Sequence, residues 1–179
     1  MLKPHLLLFP ALTLSLVLCL SGCADTESVL CPSAAALSDT ATVTVFRAGA
    51  PLDPSGEAFT ADITGVKSSC HYNKGASAIP TDMSFTVRAV RAPSPDGGDY
   101  HVPYFLAVTQ GERILSKKNL ILNIHFAPDS AASIQDVSLD TTTINLEEGH
   151  PATDYQLLVG FQLSDADRAY NQKRGRFTP

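Results

Sequence analysis

Met83-Ser84-Phe85-Thr86-Val87-Arg88-Ala89 alternates apolar with polar side chains over seven residues without a slip. Successive side chains of a β-strand point to opposite faces, so the spacing predicts a strand. Met83, Phe85, Val87 and Ala89 would lie on a core, with Ser84, Thr86 and Arg88 toward water. The run stops at Ala92-Pro93-Ser94-Pro95-Asp96-Gly97-Gly98-Asp99, whose prolines and glycines permit only a loop. That loop is one candidate for contact with a partner.

Period two continues on both sides of this strand. Upstream, Thr40 to Arg47 is rich in β-branched residues and ends at Gly49-Ala50-Pro51. Phe59, Ala61 and Ile63 alternate with Thr60, Asp62 and Thr64. After Gly65 the parity reverses, with Val66, Ser68, Cys70 and Tyr72 on one side, the mark of a bulge inside a strand. Downstream, Val102–Thr109 and Ile114–Phe126 flank the turn Gln110-Gly111-Glu112-Arg113 and read as a hairpin. Val137 to Leu146 is a threonine-rich strand whose register is weakly specified. Tyr155, Leu157, Val159, Phe161 and Leu163 mark a last strand, apolar enough to be central. Ser164 then caps a short helix, with Asp167 three residues on completing an approximate capping box. The helix is expected to end at Tyr170-Asn171 and to guard an open sheet edge. Residues 172–179, with Lys173, Arg174 and Arg176, are expected to fray as a solvated basic tail, and a weak contact with anionic headgroups is the other reading.

Seven strands without βαβ alternation predict an all-β fold of two packed antiparallel sheets spanning residues 31–171. Tyr155 resembles the corner tyrosine of immunoglobulin-like and fibronectin type III-like sandwiches. That likeness implies a sandwich of their kind, although the chain holds no tryptophan.

The first 22 residues have a different character. Lys3 precedes the almost wholly apolar run Leu6–Leu20, whose 15 residues fall short of the roughly 20 that a spanning helix needs, so a cleaved signal peptide is expected. Leu20-Ser21-Gly22-Cys23 resembles a bacterial lipobox. The resemblance implies removal of residues 1–22, lipidation of Cys23 and a membrane partner reached through that lipid, with residues 23–30 as a tether. Acyl chains at about 0.8 kcal/mol per buried methylene would hold the domain at the bilayer. Ala24, where an aspartate would favour retention at the inner membrane, implies the periplasmic face of the outer membrane.

Without the signal the chain carries 12 basic against 18 acidic groups, a formal charge of −6. An acidic domain of this kind lacks the basic face that phosphates demand, so nucleic acid is excluded as a partner. Cys19 leaves with the signal and Cys23 takes the lipid, which leaves Cys31 and Cys70. In an exported domain the simplest outcome is a disulfide between them, and two buried free thiols are the alternative. Metal ligation would need three or four ligands, and no histidine stands at a matching spacing.

Catalytic signals are weak. No Gly-x-Ser-x-Gly elbow occurs, and His71, His101, His125 and His150 sit on separate segments. His71 should face away from Cys70, and Glu147-Glu148 reads as solvated turn charge. No catalytic residue, metal or cofactor is therefore expected.

Cys31-Pro32, Cys70-His71-Tyr72, the run Pro103 to Val108, and Asp154-Tyr155 through Val159-Gly160-Phe161-Gln162-Leu163 to Tyr170-Asn171 together resemble a group of small, uncharacterised envelope lipoproteins of Gram-negative bacteria. The resemblance implies an envelope location and one β-rich domain, and no activity. The expectation is a non-enzymatic protein that binds an envelope protein or a glycan by a loop or sheet edge. The alternatives are an accessory subunit of an outer-membrane assembly or transport complex, docking by helix and tail, and a small periplasmic hydrolase.

Overall fold

A computed structural model describes residues 30–176; the signal-like segment, Cys23 and most of the proposed tether lie outside the described residues. The strands are β1 (Ser33–Ala36), β2 (Thr42–Phe46), β3 (Glu57–Cys70), β4 (Ala78–Val90), β5 (Gly98–Gln110), β6 (Arg113–Phe126), β7 (Ala132–Ser138), β8 (Thr142–Asn145) and β9 (Tyr155–Phe161). One helix, α1 (Asp165–Lys173), follows β9. A four-stranded sheet has the order β1-β9-β5-β6. A second sheet runs β2-β3-β4-β7, with β8 also pairing β4.

Met83, Phe85, Val87 and Ala89 are buried as their spacing requires, and β4 extends the same alternation back through Ile79 and Thr81. Between the sheets Phe59 meets Phe126 at 5.5 Å between ring centroids, and Phe85 meets Tyr104 at 5.9 Å. Each such ring removed from water contributes about 1.5–3 kcal/mol, so this shared core holds the two sheets face to face.

The reversal at Gly65 is a bulge. The β3–β4 register shifts between Thr64 and Lys67, and Gly65 has φ +59°, a conformation that disfavours side chains. Before it Phe59, Ala61 and Ile63 are buried. After it Val66, Ser68 and Cys70 are the partly buried set, and Lys67 and Ser69 are exposed.

Among the described residues the expected seven strands are nine, and one pairing is parallel. β1 runs parallel to β9, with Ser33 opposite Gln156 and Ala36 opposite Val159. Its sequence Ser-Ala-Ala-Ala has neither alternation nor β-branched residues, so its strand state comes from pairing with β9 rather than from local preference. The threonine-rich strand expected over Val137–Leu146 is two strands. β7 begins at Ala132 and stops at Ser138; Leu139 N–H donates to the Met83 carbonyl, and Thr141 donates to Asp82 before β8 begins.

β5 is buried on both faces from Tyr104 to Thr109. Tyr104, Leu106 and Val108 enter the shared core. Phe105 lies on the other face, where the turn Ser38–Thr40 sits against the sheet. A Cβ added to Gly160 would fall 2.0 Å from Thr40 Oγ1 and 3.0 Å from Phe105 Cε1. Gly160 is what lets that turn approach.

The capping box at Ser164 forms in full, with side-chain and backbone bonds exchanged with Asp167. The tail expected to fray from Gln172 is instead tied down through Arg176. The helix continues to Lys173, and the Arg176 guanidinium bonds Thr44 Oγ1 at 2.8 Å and both Glu57 carboxylate oxygens at 2.9 and 3.0 Å. Desolvated acid and bidentate arginine compensate each other there, which a free tail could not offer.

Candidate functional site

Among the described residues the two sheets leave four edges, of which one is covered, one is short and one is broken. β2 lies under α1: Thr44 donates to Asn171 Oδ1 at 2.9 Å, and Asn171 Nδ2 donates to the Thr42 carbonyl at 2.9 Å. Asn171 is only 1% exposed, so a buried amide replaces the neighbouring strand that β2 lacks. β1 is four residues long, and the β7–β8 edge is broken at Leu139–Thr141. Short, broken and covered edges are the usual protections against unwanted pairing.

β6 has none of these. Its 14 residues form the outer strand of the four-stranded sheet. Which backbone groups it turns outward follows from β5. The Pro103 carbonyl accepts from Gln162 N–H at 2.9 Å, on the β9 side. Backbone direction alternates along a strand, so Val102, Tyr104 and Leu106 turn theirs toward β6, where they stand opposite Leu122, Leu120 and Lys118. Lys117, Asn119, Ile121, Asn123 and His125 therefore present N–H and C=O to the open side. All five side chains are exposed, Ile121 by 61%. Lys117 Nζ lies 4.4 Å above the Phe105 ring, and His125 Nδ1 meets Asp99 Oδ1 at 2.7 Å at the far end of the same face. Lysine on an edge and a register shift between Val108 and Thr109 near the hairpin tip mark an edge defended against indiscriminate pairing yet left open.

The disulfide Cys31–Cys70 forms, with Cα atoms 5.6 Å apart. Together with Tyr72 OH donating to the Leu30 carbonyl at 2.9 Å, it fastens the chain entry to the end of β3. Entry is at β1, the edge of the sheet opposite β6. Cys23 lies outside the described residues.

Glu57 lies at the heart of the α1 contact. Burial works to raise its pKa, but hydrogen bonds from Arg176 and Tyr170 and the charges of Arg176 and Arg174 outweigh that and hold the carboxyl below its ordinary value. Sequence reading missed Glu57 and marked Asn171 only as a helix end, because neither belongs to a periodic pattern; each gains its role from a contact more than a hundred residues away.

The histidines remain apart. His101 faces Asn123, His125 faces Asp99, His150 pairs with Asp154 at 2.9 Å across a surface turn, and His71 is exposed. Cavities of about 450 Å³ beside Ser68, Asp82 and Ser138, about 290 Å³ beside Glu57 and Arg91, and about 230 Å³ beside Tyr104, Lys118 and Asp140 have no histidine in their linings. Burial, with a smaller contribution from the Asp140 charge, keeps the Tyr104 phenol above its usual pKa. Among the described residues no three His, Cys, Asp or Glu side chains gather in a metal-holding group, and no helix is long and apolar enough to cross a membrane. Pro93–Gly97 is held from within, since Arg91 donates to the Asp96 carbonyl and Asp129 N–H to the Ser94 carbonyl. Comparison with protein-family models, with curated proteins and with solved structures gives no match to this chain.

Proposed function

We propose that this chain is a lipid-anchored envelope protein without catalytic activity, held by Cys23 on the periplasmic face of the outer membrane, whose sandwich binds a protein partner by strand addition at β6. The open β6 edge carries this reading: it is the one long edge left uncovered among the described residues. Main-chain hydrogen bonds would supply affinity, and the alternate side chains Asn119, Ile121 and Asn123 would supply specificity. The tether joins at β1, three strands from β6 and so about 14 Å away across the sheet, which keeps anchoring and binding from competing.

Docking through the helix and basic tail has less support, because Asn171 and Arg176 are engaged within the chain. A hydrolase has less still, because the histidines stand apart on the open surface. For the fold, kinship with immunoglobulin-like and fibronectin type III-like sandwiches rests on the corner tyrosine. Tyr155 OH accepts from Glu147 N–H at 2.7 Å, eight residues upstream. Against it, β2, β3 and β4 are consecutive neighbours in one sheet, whereas neither sheet of the constant-type domain, ABED or CFG, sets three consecutive strands side by side.

Intact mass of the protein purified from membranes tests the anchor: diacylglyceryl and acyl mass on a chain starting at Cys23 is expected, and an unmodified Cys23 would refute it. A photocrosslinking residue at position 121 tests the edge. It should capture one protein reproducibly in native membranes, whereas the same group on β2 should capture none.

A further inference from the structure

The β6 edge is complementary to itself, and we infer that its partner is a second copy of this chain. This inference rests on the open-edge reading. Two copies of β6 pair antiparallel across a two-fold axis at Ile121, joining their four-stranded sheets into one of eight strands.

Three observations select this partner and this register. The outward backbone groups belong to Lys117, Asn119, Ile121, Asn123 and His125, a row symmetric about Ile121. Antiparallel pairing on that axis sets each of the five opposite another outward-facing residue, so every N–H and C=O in the row meets its complement. The side chains match as well. Ile121, the large apolar group of the row, meets its own copy on the axis, and Asn119 meets Asn123 on either side. At the ends Lys117 comes opposite His125, whose partner Asp99 has 74% of its side chain exposed and lies on the same face. A cation at one end of the row and a carboxylate at the other is the pattern a two-fold contact needs, because each copy supplies both halves. A register centred on Leu120 instead would set Ile121 against Asn119 and Lys117 against Asn123, losing the apolar pair on the axis and moving Lys117 from opposite His125.

The test uses the full chain in detergent. Ile121→Cys should yield a disulfide-linked dimer on mild oxidation. Asn119→Cys alone should not, because its neighbour across the axis is Asn123; a mixture of Asn119→Cys and Asn123→Cys should link. In sedimentation velocity Lys117→Asp should weaken dimerisation by about tenfold or more, and Lys117→Asp with Asp99→Lys should restore it, the behaviour of a close charge pair. Monomeric wild-type protein, or equal linking of Asn119→Cys and Ile121→Cys, overturns the proposal. If position 121 crosslinks to a different protein in membranes while the purified chain is monomeric, the second copy is refuted and the open-edge reading survives. If it crosslinks to nothing, both fall.

Discussion

Asn171 and Glu57 show how single side chains close the β2 edge. The Asn171 amide accepts from Thr44 and donates to the Thr42 carbonyl in a site that water does not reach. Asn171→Ala removes the amide that the Thr44 hydroxyl donates to and that donates to the Thr42 carbonyl, at a cost of about 1–3 kcal/mol, measurable as a lower urea midpoint. Glu57 predicts a pH dependence. A carboxyl whose folded pKa is depressed contributes stability in full above its unfolded value, near 4.5, and loses it as pH falls through the folded value. Unfolding midpoints should therefore drop below about pH 4.5, and Glu57→Gln should flatten that part of the profile. An unchanged profile would mean that Arg176 does not hold the acid in solution.

Among the elements, those with a local signature were legible. β4 was readable from its alternation, the bulge from Gly65 and a parity reversal, and α1 from Ser164 and Asp167, because each signature is written within a few residues. β1 was not, since Ser33–Ala36 becomes a strand only beside β9. The break between β7 and β8 was hidden because threonines fit a strand or a link equally well. β6 falls between these cases: its alternation tells which side chains face the core, and nothing in it tells whether a neighbour lies on its far side. The candidate site was thus legible as a strand and illegible as an edge. The disulfide belongs at this scale too, since it fixes β1 to the end of β3. The 39-residue separation of its cysteines implies about 4 kcal/mol in the chain-entropy model, so replacing both by alanine should lower stability by about 2–5 kcal/mol in denaturant titrations.

At the scale of the molecule, one core holds two sheets, and the edges are treated unequally: a helix over β2, a short β1, a broken β7–β8, and a long bare β6. This inequality is the observation behind the proposed pairing at β6. Residue-resolved amide exchange reads it most directly, comparing the wild-type chain at associating concentration with the monomeric variant expected from Ile121→Lys, which sets like charges on the axis. In the variant, the amides of Lys117, Asn119, Asn123, His125 and the substituted position between Leu120 and Leu122 should exchange fast, and those of Lys118, Leu120, Leu122 and Ile124 slowly. In the wild type both sets should be slow. Slow exchange of the outward set in the monomeric variant would contradict the account, because the edge would then be covered from within its own chain.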